Sequence, residues 1–189
     1  MKKVLLTITA GFLLMSFAVT EIINWSSDKT HSRLGFSITH MGITEVHGDF
    51  STFESSISTS GDDFNGAKIE LSAEAKSINT GLEMRDEHLR GKDFFEVDTY
   101  PTLTFKSTSV KKAKGNKYNV IGDLTMHGIT KSVSFVAIHN GSAKNHAGID
   151  IAGFKMIGSI KRSDFKVGTP SPGLSDEVKL IADLEVSKN

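Results

Sequence analysis

Short segments in which apolar and polar residues alternate recur from about Ser32 to Val186, and they constrain the fold more than any other feature. In one of them, Leu34, Phe36 and Ile38 alternate with small or polar residues. Because successive side chains of a strand point to opposite faces, each segment has one apolar and one polar face. Such segments, separated by turn residues, predict an all-β, antiparallel sheet that closes on itself or folds double.

Eight strand candidates follow from this pattern. They lie near residues 31–40, 44–58, 67–77, 102–112, 117–127, 130–140, 146–161 and 177–187. About eight strands give a closed barrel whose interior can hold one small ligand. Segment 81–90 interrupts the pattern, because it contains helix formers and places Leu82, Arg85 and Leu89 on one helical face. The sequence therefore predicts an eight-stranded, lipocalin-like antiparallel barrel with a short lid helix.

The N-terminal residues predict export. Two lysines precede a nearly continuous apolar run over residues 4–19, and Ala18 is a small residue suited to cleavage. We interpret residues 1–18 as a signal peptide and residues 19–189 as one mature domain. A membrane anchor is the alternative, but the run is shorter than the roughly 18 to 20 residues that a spanning helix needs. A periplasmic or secreted protein is expected.

Composition narrows the classes of function. The formal net charge is zero, 38% of the residues are hydrophobic and 23% are charged. Such a chain is too apolar to be disordered, and it lacks the basic excess typical of proteins that bind nucleic acid. Cysteine is absent, which excludes disulfides, thiolate metal ligands and catalysis by cysteine. Because the charge is balanced, no nucleic-acid partner is predicted.

Signatures of catalysis and of cofactor binding are missing. The seven histidines form no His-x-His or His-x-x-x-His pair, so no metal site is predicted, although distant strands could still bring His40 and His127 together. No phosphate loop, dinucleotide fingerprint or Gly-x-Ser-x-Gly elbow occurs. We predict no cofactor and no enzymatic activity; an enzyme acting on a lipid-like substrate is one alternative.

The densest polar cluster, Arg85, Asp86 and His88, lies in the predicted lid helix. Three roles are open to it: anchoring the lid by charge-assisted hydrogen bonds, holding the polar head of a ligand, or acid–base catalysis. Anchoring of the lid fits the pattern best, and binding of a head group comes next. We therefore assign these three residues to the lid or to the head-group site.

Inward-facing apolar positions define a candidate cavity lining. These positions are Phe36, Ile38, Phe50, Leu71, Phe105, Leu124, Met126, Phe135, Ile151 and Leu180. They fill a solid core in one interpretation, which describes a structural or interaction protein, and line a ligand cavity in the other. Small residues such as Gly48, Gly122 and Ala182 leave room for a cavity. Ile121 and Val136 lie out of phase with the inward set and are candidates for an outer contact or a dimer interface.

Five separated motifs resemble the YceI-like family and occur in its order over nearly the whole mature chain. They are Trp25 to Asp28, HSRLGFSITHMGITEVHGDFSTF, SINTGLEMRDEHLRGKDFFEVDTYPTLTFKST, YNVIGDLTMHGITKSV and GSIKRSDFKVG. The departures at Asn79, Gly91 and Lys166 affect only turns and the border of the lid.

This resemblance implies an extended lipocalin-like barrel that binds a long apolar molecule such as a polyisoprenoid, a quinone or a fatty amide. It thereby favours the cavity over the solid core. Transport, storage and a part in a stress response are the roles that it suggests, in the periplasm or outside the cell. A homodimer and transient contact with a membrane are compatible with it. It does not identify a single ligand.

Overall fold

The computed structural model describes residues 21–61 and 63–189, most of which form antiparallel strands. The predicted signal peptide over residues 1–18 lies outside the described residues. In chain order the strands are β1 (Ile23–Ser27), β2 (Arg33–His40), β3 (Thr44–Phe50), β4 (Phe53–Thr59), β5 (Lys68–Glu74), β6 (Ile78–Asn79), β7 (Thr102–Lys112), β8 (Lys117–Met126), β9 (Ile129–Lys144), β10 (Asp150–Lys161) and β11 (Leu174–Lys188). One helix, α1 (Glu83–Arg90), and two 3₁₀ turns, Ala75–Ser77 and Arg162–Phe165, complete the secondary structure of these residues.

The strands close into an eight-stranded antiparallel barrel. β1 and β2 pair with successive stretches of β11, so together they serve as one interrupted barrel strand. β3 pairs with β2, and β4 pairs with β1. The next strands in the sheet are β6 beside β3 and β5 beside β4. From β7 to β11, each strand pairs with its neighbour in chain order. The predicted fold class is confirmed.

Alternation of apolar and polar residues decides which face of each strand is buried. Along β8, Tyr118, Val120, Leu124 and Met126 are buried, while most of the residues between them are exposed. A shift of one residue would turn every one of these side chains toward the solvent, so the burial of the interior fixes the register. From β7 to β11 the predicted strand ranges agree with the observed ones, because this alternation is strong; the single strand predicted over 44–58 is two strands, β3 and β4, and β1 and the two-residue β6 were not predicted.

The lid helix forms close to its predicted position. α1 spans Glu83–Arg90, and the segment that follows it returns the chain to the start of β7. Phe95 in this segment packs edge-on against Phe50 of β3, with ring centroids 5.8 Å apart. In the part of the chain that the structure describes, no helix is both long and apolar enough to cross a membrane.

One predicted inward position is wrong. Ile151 is half-buried on β10, whereas Ala152, Phe154, Met156 and Ile160 are the buried residues of that strand. Since side chains alternate between faces, Ile151 points to the outside of the barrel. The physical reason is that β10 carries apolar residues in both phases, with Ile157 also on the outer face, so the alternation there does not identify the interior.

Candidate functional site

An apolar cavity of about 390 Å³ lies inside the barrel. Strands from most of the circuit contribute to its lining, and so do α1 and the segment after it. Its volume falls in the range of roughly 300–1,000 Å³ that is usual for ligand pockets. A solid core is therefore not what this barrel contains, and the interpretation of a filled-core protein loses its structural basis.

Most of the predicted lining residues surround this cavity. They are Phe36, Ile38, Phe50, Leu71, Phe105, Leu124, Met126, Phe135 and Leu180. Ile151 does not line it, because that side chain lies on the outer face of β10. Sequence reasoning missed further lining residues, of which Leu89, Phe94, Phe95, Met156, Ile160 and Arg162 are examples.

Three phenylalanines lie directly on glycines of neighbouring strands. The pairs are Phe36 on Gly48, Phe105 on Gly122 and Phe135 on Gly158. A Cβ atom added at Gly48 would collide with the ring of Phe36. Each glycine therefore lets a ring lie close to the barrel wall, whereas a larger residue would push that ring into the interior. Gly48 and Gly122 leave room for the cavity in this way, as the sequence suggested.

The lid cluster divides between anchoring and lining. Asp86 is only 2% exposed, and its Oδ1 accepts hydrogen bonds from the backbone N–H (2.9 Å) and the hydroxyl of Thr80. Arg85 donates from Nε to the Thr80 hydroxyl (2.7 Å) and from Nη2 to the Thr80 carbonyl (2.9 Å). Thr80 thus ties the helix to the end of β6, which supports the anchoring role of the cluster.

Arg85 and His88 also line the cavity, whereas Asp86 does not. The His88 side chain is 62% exposed, its Nε2 lies 3.5 Å from Asp93 Oδ2, and its ring packs edge-on against Phe94. A residue that is both exposed and in the lining indicates that the cavity reaches the surface beside α1. Arg85 forms no direct salt bridge with a described carboxylate, but the Thr80 hydroxyl that accepts from Arg85 Nε itself donates to Asp86 Oδ1, so one hydroxyl links the guanidinium to the Asp86 carboxylate.

A second charged group, Arg162, lines the cavity where β10 ends. It is 3% exposed, and it donates to the backbone carbonyl oxygens of two residues of the β10–β11 connection and of the first two residues of β11. These residues are Val167 (3.1 Å), Thr169 (3.2 Å), Leu174 (3.4 Å) and Ser175 (2.9 Å). The guanidinium therefore shapes the connection rather than facing the solvent.

One group of side chains has the spacing of metal ligands, but its contacts are those of a turn. The candidate ligand atoms of Asp28, His31 and Glu185 lie within 4.8 Å of one another, away from the cavity lining. The hydroxyl and backbone N–H of Thr30 bond to Asp28 and, with His31, lower the pKa of its carboxyl to about 2. These bonds shape the link between β1 and β2, and no metal site is assigned to them.

A closed antiparallel barrel with an apolar interior and a helical lid defines the lipocalin-like class of small-molecule binding folds. Within that class, the chain belongs to the YceI-like family, because the sequence model of the YceI-like domain matches residues 25–186.

Comparisons with individual proteins agree with this assignment. A UPF0312 protein of Photorhabdus laumondii is 38% identical over 189 residues, which cover 98% of this chain and 97% of that relative. The solved structure of BcnA from Burkholderia cenocepacia superposes with a TM-score of 0.75 at 28% identity, over 84% of this chain and 98% of BcnA. A polyisoprenoid binding domain from Saccharophagus degradans shares the fold with a TM-score of 0.68 at 19% identity, over 87% of this chain and 98% of that domain.

Proposed function

We propose that this protein binds a long apolar chain of the polyisoprenoid, quinone or fatty-amide class inside its barrel, and carries or stores it outside the cytoplasm. The observation that carries the proposal is the apolar cavity of about 390 Å³ with a mouth beside α1. Removal of apolar surface from water stabilises a bound chain by about 25 cal/mol per Å². A transport, storage or stress-response role would each rest on this one binding event.

Membership of the YceI-like family supports the proposal, because the family is expected to bind such molecules. The Saccharophagus degradans domain, described as binding polyisoprenoids, has the same fold. The residues 1–18, with their basic start and apolar run, support an exported protein in the periplasm or the medium.

The head of the ligand is proposed to lie at the mouth, next to Arg85 and His88. Arg85 lines the cavity and uses Nε and Nη2 to bond Thr80, which leaves its Nη1 donors for a phosphate or carboxylate head. Binding is favoured over catalysis because Asp86 accepts its hydrogen bonds from Thr80 and not from His88. Among the described residues the Asp86 carboxylate and the His88 imidazole thus do not act as a hydrogen-bonded pair.

The direct test is to identify what the protein carries. The mature protein is purified from its own host without detergent, weighed intact by native mass spectrometry, and then extracted with organic solvent. We expect one long-chain isoprenoid or fatty species in stoichiometric amount. An intact mass equal to that of the bare chain, together with failure to take up added farnesol, would contradict the proposal.

Transient contact with a membrane is part of the proposal, because the cavity mouth has an apolar rim. Met41 and Ile43, at the turn between β2 and β3, follow the lining residue His40, and Ile43 is 87% exposed. At the start of the lid, Met84 is 78% exposed. A bilayer surface would cover these side chains while the ligand passes through the mouth.

We predict that replacing Ile43 and Met84 by serine reduces co-flotation with phosphatidylethanolamine–phosphatidylglycerol vesicles by more than about twofold. The matched control is Ile149→Ser, which removes an exposed apolar residue of the turn between β9 and β10. Equal flotation of the double variant and the control would contradict a role of the rim.

A homodimer stays a prediction. Its candidate surface is an outer apolar patch that consists of Ile121, Val136 and Ile157, which are all exposed, with Val136 paired to Ile157 across β9 and β10. If this patch mediates a dimer, sedimentation velocity is expected to give a dimer for the wild type and a monomer for Val136→Asp. A monomeric wild type at micromolar concentration would contradict the prediction.

A further inference from the structure

A second, smaller hollow of about 30 Å³ lies in the barrel beyond the main cavity. On β8 the main cavity contacts Leu124 and Met126, while the inner hollow contacts Tyr118 and Val120. On β9 the corresponding residues are Phe135 for the main cavity and Ala137 for the inner hollow. The two spaces therefore follow each other along the strands, and the inner hollow lies at the end away from the lid.

Two side chains belong to both spaces. Leu71 of β5 and Met156 of β10 line the main cavity and the inner hollow alike. Both are buried, and both project inward, as the burial pattern of their strands shows. These two side chains therefore lie at the boundary between the two spaces, and together they are called the partition below.

The lining of the inner hollow favours the end of a hydrocarbon chain over water. Among its lining residues are Ile57, Phe64, Ile69, Val120 and Phe154. The hydroxyl of Tyr118 is bonded to Asp63 Oδ1 (2.9 Å), and Ser55 Oγ has no partner among the described residues. A water needs two to four polar partners, so a hollow with one unpartnered hydroxyl favours an apolar occupant.

We propose that Leu71 and Met156 set the length of the apolar chain that the barrel accepts, with Met156 as the movable member. The inference rests on the proposed function and deepens it. Methionine is unbranched and adapts to irregular gaps through three rotatable bonds, whereas leucine is stiffer. A short chain ends at the partition; a longer chain reaches the inner hollow only when the Met156 side chain moves aside.

Tryptophan fluorescence can report whether the end of a bound chain enters the inner hollow. Trp25 is its single tryptophan, and its ring centroid lies 5.6 Å from that of Phe64, which lines the inner hollow. A chain end that enters the inner hollow displaces Phe64 or packs against it, and so changes the surroundings of the Trp25 indole. A ligand confined to the main cavity leaves those surroundings as they are.

The experiment compares farnesol with geranylgeraniol, which is one isoprene unit longer, on the wild type and on Met156→Ala. We expect Met156→Ala to raise the affinity for geranylgeraniol relative to farnesol by roughly tenfold, because the freed space and the inner hollow admit the extra unit. Geranylgeraniol is then expected to shift the Trp25 emission in this variant more than farnesol does. Met156→Leu retains the partition with a stiffer side chain and is expected to lower the affinity for geranylgeraniol relative to farnesol below the wild-type ratio.

Ile157→Ala is the matched control, because it shortens the next side chain of β10 on the outer face. Leu71→Ala opens the partition independently and keeps the test decisive if Met156→Ala folds poorly. Equal affinity ratios in the partition variants and in Ile157→Ala would overturn the inference while leaving the proposed function intact. Failure of the wild type to bind either alcohol, measured by native mass spectrometry, would overturn the proposed function and the inference with it.

Discussion

Replacement of Arg162 by methionine is expected to lower the free energy of unfolding by about 3–5 kcal/mol. The reason is that the buried guanidinium donates to the carbonyl oxygens of Val167, Thr169, Leu174 and Ser175; the bond to Val167 is fully buried and the others are part-buried. Each buried acceptor that loses its donor costs roughly 1–3 kcal/mol. Methionine fills a similar volume but donates no hydrogen bond, so the decrease in the free energy of unfolding measures the lost hydrogen bonds rather than lost packing.

Arg162→Lys is expected to recover only a small part of this loss. The planar guanidinium presents five donors in a fixed fork, and a single ammonium group has three donors at one point. Neighbouring contacts hold the same region in place. The Asp176 carboxylate accepts hydrogen bonds from the hydroxyl and the backbone N–H of Ser163, and these bonds lower the pKa of Asp176. The geometry around Arg162 is therefore fixed and cannot adjust to a shorter reach.

Urea unfolding of the mature protein, followed by tryptophan fluorescence, measures the effect. The matched control is Arg33→Met, since Arg33 is exposed and makes one salt bridge to Asp49 at 3.3 Å. Exposed ion pairs contribute about 0–1 kcal/mol, so this control is expected to lose less than about 1 kcal/mol. Similar losses in the two variants would show that the buried hydrogen bonds of Arg162 do not stabilise the fold.

Much of the barrel could be predicted because its strands alternate strongly. Phe36 and Ile38 on β2 are separated by a serine, and only one phase of that strand is apolar. The lid helix was equally readable, because its helical spacing breaks the period of two. Where both phases of a strand are apolar, as on β10, periodicity cannot tell inside from outside, and Ile151 was assigned to the wrong face.

The missed residues of the site have a different cause. Phe94 and Phe95 lie in a segment without regular periodicity, so only the three-dimensional path of the chain brings them to the cavity. Arg162 is a charged residue, and charged residues are rarely buried unless their partners are present. Those partners are backbone carbonyls of the following loop, which have no signature in the sequence. The partition at Met156 likewise depends on which residues face each other across the barrel.

The largest expected effect on ligand binding comes from Ala182→Phe. Ala182 is 3% exposed, lines the cavity, and is paired with Leu34 and Met156 on the adjacent strands. A phenyl ring at this position occupies space that the bound chain would otherwise fill. If the ring displaces roughly 100 Å² of buried tail surface, the loss is about 2.5 kcal/mol, or about 60-fold in affinity.

Stability is expected to change in the opposite direction, which makes the test informative. Filling a cavity commonly stabilises a protein by about 0.5–2 kcal/mol, so Ala182→Phe should raise the midpoint of thermal unfolding while it weakens the binding of farnesol. Ser132→Phe is the matched control, because the same ring is added at an exposed position of β9 outside the candidate dimer patch. Unchanged farnesol binding in a folded Ala182→Phe variant would mean that the apolar chain does not occupy this part of the barrel. If binding is weakened and the midpoint is raised, the ligand occupies the same cavity that the phenyl ring fills.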